Sequence, residues 1–319
     1  MIGGSNFDVI CRGFSQAFEA NATTNAKIRT CFGGVGRNLA DALARLDCNP
    51  LFISAVGDDW IGQCIMSQNS KLDKSLINIT SQATTATYCL TLNWQNGDLS
   101  SGLGDMDIHQ VGVTPATIAK HRHHLEQANL VVLDGNFSQD TIDSVLQTCH
   151  DANVPVFFEP TDPHKARKVL QSPWAARAIK YTSPNMHELQ MMANDASLQS
   201  GSSCCNLDAL IRECTDLGRS LMRQMPYTTL IITLGKHGVL LMDADDKTCR
   251  HYAADKVQQV KSVSGAGDCL TAGFIAGLLN GLGHSQALAM GLKAAQLSLQ
   301  SFDTVPDTLD LTSVSPDES

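Results

Sequence analysis

Short apolar runs and segments of 3.6-residue periodicity take turns along this chain, and that alternation limits the fold more than any other feature. PLFISAV (Pro50–Val56), NLVVLDG (Asn129–Gly135), VPVFFEP (Val154–Pro160), TTLIITLG (Thr228–Gly235) and GVLLMD (Gly238–Asp243) read as strands. Most are apolar throughout rather than alternating, as in strands covered on both faces. Between them, Arg37–Leu46, Ser138–Cys149 and Leu207–Met222 carry apolar residues at helical spacing, and Gly265–Leu282 and Ser285–Ser301 read as two helices in succession. The pattern predicts an α/β fold, a doubly wound and mostly parallel sheet flanked by helices. A length of 319 residues suits one large domain with a substantial core, taken here as 1–319. One segment breaks the rhythm. Thr85–Leu103 alternates residue types and contains Asn96-Gly97, a type I′ hairpin signal. Such a hairpin, over residues 85–104, is either an ordinary sheet edge or a small lid over a ligand.

A net charge of −9, with no block of Lys or Arg to offset it, argues against nucleic acid or anionic membrane as partner. A small anionic ligand would have to be held by backbone amides, helix N-termini or a metal. The start shows no signal peptide, no apolar run approaches the ~20 residues of a membrane span, and the 11 cysteines follow no framework spacing. A cytoplasmic chain with reduced thiols is the expectation. Only Met1 and Ile2 precede Gly3-Gly4, so the first strand is brief, and Asn194–Asn206 is polar enough to be a loop.

The chemistry concentrates in SVSGAGDCLTAGF, Ser262–Phe274. Small residues ahead of an apolar helix leave backbone N–H groups open at a helix N-terminus, where the dipole favours an anion. Asp268, in the same turn, is placed either to cap the helix or to take a proton from an attacking hydroxyl. The residues alone leave both open. No P-loop occurs, and GGVGRN (Gly33–Asn38) lacks dinucleotide spacing and has no apolar strand running into it.

Taken together, GGSNFD at the start, GGVGRNLA, GDDWIG (Gly57–Gly62), SPNMHEL (Ser183–Leu189), TLGKHG (Thr233–Gly238) and SGAGD resemble, in that order, the ribokinase/PfkB family of sugar and nucleoside kinases. The resemblance spans essentially the whole chain and implies a ribokinase-like fold. TATYCLTLNWQNGDL, GLGDMDIHQVGVTP, FFEPTDPHKA and GLKAAQLSLQS are most similar to the pseudouridine kinases of that family. The resemblance therefore implies transfer of the ATP γ-phosphoryl group to the 5′-hydroxyl of pseudouridine. Asp268 would be the general base, and Gly265, Ala266 and Gly267 the anion hole. Asn6, Asp8, Gly34, Asn38 and Tyr88 would bind the nucleoside, and Glu188 would hold Mg²⁺ through water. Asn185, Thr233, Gly235 and Gly238 would line the ATP phosphates, with Gly291 and Ala295 beside the adenine. Other acceptors, such as ribose or adenosine, and a nucleoside-binding homologue without turnover are the rival readings.

Asn185 and Glu188 also suit an ordinary helix cap and first-turn acid. The HRHH histidines, His121, His123 and His124, read as a solvated face, and Lys165 as either a surface lysine or a substrate contact. Family members often dimerise through the lid, and a free lid edge is the alternative here. Many of them also carry, at the place of Ser262, an aspartate that helps hold a monovalent cation beside the anion hole. With serine there, a K⁺ requirement is in doubt.

Overall fold

The computed structural model describes residues 1–13, 23, 25–92, 99–193, 206–245 and 247–315. The Asn96-Gly97 turn and almost all of the Asn194–Asn206 stretch therefore lie outside the described residues. In chain order the strands are β1 (Asn6–Gly13), β2 (Ala26–Gly33), β3 (Ser54–Gly57), β4 (Ile77–Thr80), β5 (Ala86–Leu92), β6 (Leu99–Asp105), β7 (Val131–Asp134), β8 (Val156–Glu159), β9 (Ile179–Thr182), β10 (Thr229–Thr233), β11 (Val239–Met242) and β12 (Cys249–Tyr252). Six of them form the main sheet in the order β12-β11-β10-β9-β8-β7. β7 through β10 run parallel, and β11 and β12 complete the edge antiparallel.

The two faces of this sheet explain why its strands read as unbroken apolar runs. Val131, Leu133, Val156, Phe158, Leu230 and Ile232 enter one buried cluster, packed by Ile142, Val145, Leu217 and Leu221. Val132, Phe157, Ile231, Val239 and Leu241 point the other way, into a cluster with Leu39, Leu43, Leu270, Phe274 and Leu288. Helices Gln139–Asp151 and Leu207–Gln224 thus cover one face, and Val35–Arg45, Ala266–Leu279 and His284–Leu299 the other. Each such side chain contributes about 1.5–3 kcal/mol through burial.

Ile2 is the rung between two parts of the molecule. It forms parallel bridges to both Ile53 and Leu133, its N–H donating to Val132 O at 2.8 Å and its carbonyl accepting from Asp134 N at 3.1 Å. The pair β3–β4 is thereby stitched to the main sheet through the single bridging residue Ile2. Beyond Met1, whose ammonium donates to Leu51 O at 2.8 Å, the slot continues as a cavity of about 380 Å³ lined by Leu51, Ile53, Leu130 and Val132 among others. It lies at the opposite end of β7 from the site described below.

The predicted hairpin is half of a second sheet, ordered β2-β1-β5-β6. Sequence reading missed β1 and β2. It also found no strand entering GGVGRN, whereas β2 runs straight into Gly33-Gly34. The reason is exposure. Ile28 is 63% exposed and only the last residue of β2 is buried, so AKIRTCFG carries charge and polarity where a core strand would be apolar.

Candidate active site

Parallel strands bring the C-terminal ends of β7, β8, β9 and β10 to one edge of the sheet, which is where open α/β sheets bind ligands. The helix Ala266–Leu279 opens onto that edge. Its first residue is preceded by Gly265 with φ 84°, a left-handed conformation that glycine tolerates without strain. A Cβ there would also sit 2.0 Å from Thr304 O. At Gly267 a Cβ would meet nothing within 4 Å, so there is open space beside the first turn, where Ala266 N donates to Val263 O at 3.4 Å.

Asp268 is half-buried at this helix start, and Asn38 Nδ2 donates to its Oδ2 at 2.7 Å. Burial raises its pKa to about 6, against the lowering effects of the Asn38 hydrogen bond and the Arg37 charge. The side-chain hydrogen bond its carboxylate takes is that from Asn38, and no backbone amide of its own helix donates to it among the described residues. Asn38 is held in turn. Its Oδ1 accepts from Arg37 Nη2 at 3.0 Å and lies 3.0 Å from Thr304 Oγ1, so its amide can present only nitrogen to Asp268.

The four-stranded sheet supplies the neighbouring groups. Asp8 on β1 is buried, with Oδ1 hydrogen-bonded to no described residue. Burial lifts its pKa to about 6, partly countered by Arg37 and reinforced by Asp268. Space for the carboxylate depends on Gly33, where a Cβ would fall 2.0 Å from Asp8 Oδ2. Gly34, at φ 88°, lets the chain pass Gly4 O and Asn6 N. Tyr88 pairs with Asp8 across β1 and β5, and burial followed by the charges of Asp8 and Asp162 pushes its pKa up. Asn6 Oδ1 lies 3.0 Å from Nε2 of His109, a buried imidazole whose pKa burial lowers to about 4.

A second cluster of acids gathers at β8 and β9. Asn185 and Glu188 satisfy one another: Glu188 Oε2 accepts from Asn185 N at 2.8 Å, and Asn185 Oδ1 from Glu188 N at 3.0 Å. That is the reciprocal cap expected of an ordinary helix start. Burial also raises the Glu188 pKa to about 7, with Asp162 and Asp268 adding to the rise. Glu159 at the end of β8 is pushed up by burial and then by Glu188. It accepts from Ser183, which is bonded at 3.1 Å to Thr271, one turn beyond Asp268. Like charges collected in a buried place, with no basic group bonded to Glu159 or Glu188 among the described residues, form a donor set suited to a hard divalent cation.

Asn185 bridges Thr233 on the next strand, joining this cluster to the TLGKHG turn. There Leu234 N donates to Gly238 O at 2.8 Å, and Gly235 and Gly238 hold φ of 57° and 92°. Gly291 is placed elsewhere, buried where the last two long helices cross, and a Cβ would lie 2.5 Å from Leu270 O. Ala295, one turn on, packs against the same cluster. Packing alone explains small residues at both positions.

Asp134, Glu159, Asp162 and His109 were not among the residues picked from the sequence. Asp134 Oδ2 accepts from Gly4 N, Gly36 N and Asn136 Nδ2 at 2.8–3.1 Å, tying the first turn of the chain to the helix Val35–Arg45. Lys165 is drawn into the site, donating to Asn136 Oδ1 at 2.8 Å and pairing with Asp162 at 2.9 Å. The only available signals were a carboxylate ending each of two apolar strands, NLVVLDG and VPVFFEP.

A glycine-lined helix start, one half-buried carboxylate beside it and a separate cluster of acids make up the equipment of a phosphotransferase. The family is narrower. The model of the pfkB family of carbohydrate kinases matches residues 1–310, and the chain belongs to that family, as an ATP-dependent kinase of a sugar or nucleoside. It is 28% identical to a pseudouridine kinase of Escherichia coli, over 96% of this chain and 92% of that protein. It is 26% identical to a pseudouridine kinase of Arabidopsis thaliana, over 89% and 86%. Its fold matches that of Arabidopsis thaliana ribokinase complexed with ribose and ATP, with TM-score 0.77 at 18% identity, covering 98% of this chain and 96% of that one. No helix among the described residues is long and apolar enough to cross a membrane.

Proposed function

We propose that this protein transfers the γ-phosphoryl group of ATP to the 5′-hydroxyl of pseudouridine. The observation that carries the reading is the Asn38–Asp268 contact at the glycine-lined helix start, in a chain similar to two pseudouridine kinases over most of its length. Asp8, with an uncommitted oxygen, accepts from the ribose diol, and Asn6, its carbonyl facing His109, donates to it. This fixes the 5′-hydroxyl against Asp268, which takes the proton as the oxygen attacks phosphorus in line. Charge growing on the phosphoryl oxygens meets the anion hole of Gly265, Ala266 and Gly267. Glu188, with Glu159 and Asp162 behind it, would hold Mg²⁺ through water; when bound, the ion neutralises phosphate charge. Thr233, Gly235 and Gly238 border the phosphate tail. The four-stranded sheet, with Tyr88 facing Asp8, serves as the lid of a single domain spanning 1–319.

ADP release with Mg²⁺–ATP and, in separate reactions, pseudouridine, uridine, adenosine and ribose tests this reading. Release with pseudouridine well above the rest is expected. Preference for another acceptor would discard the substrate while keeping the chemistry, and folded protein silent with all four would discard both.

A further inference from the structure

Ser262 stands six residues ahead of Asp268, at the place where a carboxylate would help hold a monovalent cation. The surroundings do not fit such an ion. Ser262 is 8% exposed and brings no charge. Its Oγ already accepts from Ser264 N and from Arg29 Nη2, each at 3.2 Å. The carbonyl of Phe302, beside the Thr304 segment that packs on Gly265, accepts from Arg29 Nη1 at 3.2 Å. Arg29 and Lys261 both lie 5.8 Å from the centre of the Phe302 ring, within cation–π range. Two oxygens that face this place are thus committed to a guanidinium, and a second protein cation is close by. A dissolved K⁺ would have to displace the guanidinium and accept repulsion from the ammonium.

We propose that Arg29 is a resident cation that replaces a dissolved one: its planar fork joins Ser262 and Phe302 and sets the anion-hole turn, so that phosphoryl transfer proceeds without K⁺. The inference rests on the kinase reading above. Arg29 belongs to β2, the exposed edge of the four-stranded sheet, so the same contact ties that sheet to the helix carrying Asp268. Arg29 is a positioning residue, touching neither acceptor nor ATP in this scheme. A guanidinium suits the place because two donors in one plane reach two oxygens at once, which an ammonium or a spherical ion does not reproduce.

The test compares wild type, Arg29→Met, Arg29→Lys and the double variant Arg29→Ala/Ser262→Asp in KCl and in choline chloride at equal ionic strength. Wild-type kcat should agree within about twofold in the two salts. Arg29→Met should lose roughly tenfold or more in kcat, a part of what a lost anion-hole donor costs, and Arg29→Lys should recover little of it. The double variant should become K⁺-dependent, with KCl raising both its kcat and its Tm over choline, since an ion that binds only the folded state stabilises it. A wild-type kcat that collapses in choline, or a folded Arg29→Met with full kcat, overturns the proposal. Should no acceptor be turned over, the kinase reading fails by itself and melting still decides: a wild-type Tm raised by K⁺ overturns this inference, whereas K⁺ stabilisation confined to the double variant supports it.

Discussion

The two sheets of this protein both deliver residues to one site, yet they are built to different standards. In the six-stranded sheet, β7 and β11 are buried at every position, and helices cover both faces. In the four-stranded sheet, β2 has one buried residue, its last, and β5 is only half-buried after its first residue. The covered sheet and its helices position Asp268, Glu159 and Glu188, the groups proposed to act on moving charge. The half-exposed sheet brings Asn6, Asp8 and Tyr88, proposed to face the acceptor. Rigid surroundings keep a preorganised geometry at the reacting atoms, while a sheet with one free face can shift to admit a ligand. If this division is right, substitutions on the first side should act on kcat and those on the second on KM.

The largest effect is expected at Asp268. Asp268→Asn keeps the shape and the contact to Asn38 but removes the base, so kcat should fall by about 10²- to 10⁴-fold with acceptor affinity nearly intact. Stability should move the other way. A carboxyl whose pKa rises from 3.8 to about 6 on folding stabilises the folded state fully below pH about 4, and that contribution is lost as pH climbs through 6. At pH 8 the variant should therefore be more stable than wild type, by up to about 3 kcal/mol, and the difference should close by pH 4. Denaturant titration at the two pH values measures it. A variant that keeps half of wild-type kcat would end the assigned role.

Asp8→Asn should be felt on the other side of the comparison. Losing a charged acceptor for the acceptor's hydroxyls removes about 1.5–3 kcal/mol, or roughly 10- to 100-fold in acceptor KM, with the KM for ATP unchanged. Steady-state kinetics with each substrate varied in turn will separate the two. A loss confined to kcat would erase the distinction between the sheets.

Legibility in the sequence followed the same divide. Four strands of the main sheet were readable because burial on both faces leaves few residue types available: VVLD, VFFE, TLIIT and VLLM announce themselves, whereas β9 and β12, IKYT and CRHY, are less buried and were missed. β1 and β2 were not readable either, because half-exposed strands admit Arg12, Lys27, Arg29 and Thr30 and their apolar signal dissolves. The Asp268 turn was legible for a different reason, since unhindered amides at a helix start require small residues. Glu159 and Asp134 were hidden, because what makes them functional is convergence: parallel pairing puts the ends of β7 and β8 side by side, and a one-dimensional pattern does not show which carboxylates a sheet will bring together. Arg29 was hidden most deeply. It lies 233 residues from Ser262 in the chain, and nothing in AKIRTCFG marks one basic residue above the other.

The smallest effect, and the finest probe of how the two sides meet, is expected at Asn38, the helix residue that donates to Asp268. Ionised Asp268 is needed for proton removal, so wild-type kcat should fall with decreasing pH below about 6, one decade per pH unit. The Asn38 amide favours the ionised form, because its N–H donates to the carboxylate at 2.7 Å. Replacing it by leucine takes that donor away while nearly preserving volume, and Arg37 keeps its contacts to Phe32 O and Thr304 Oγ1. The carboxyl should then hold its proton to higher pH. A hydrogen bond to a charged group is worth about 1.5–3 kcal/mol, so the acid limb of kcat should move up by about one to two pH units, leaving a loss of no more than about twofold at pH 8. A limb that stays in place would mean that the helix dipole and Arg37, rather than Asn38, set the proton affinity of Asp268; a limb that moves down would mean that Asp268 is not the group whose ionisation the profile reports.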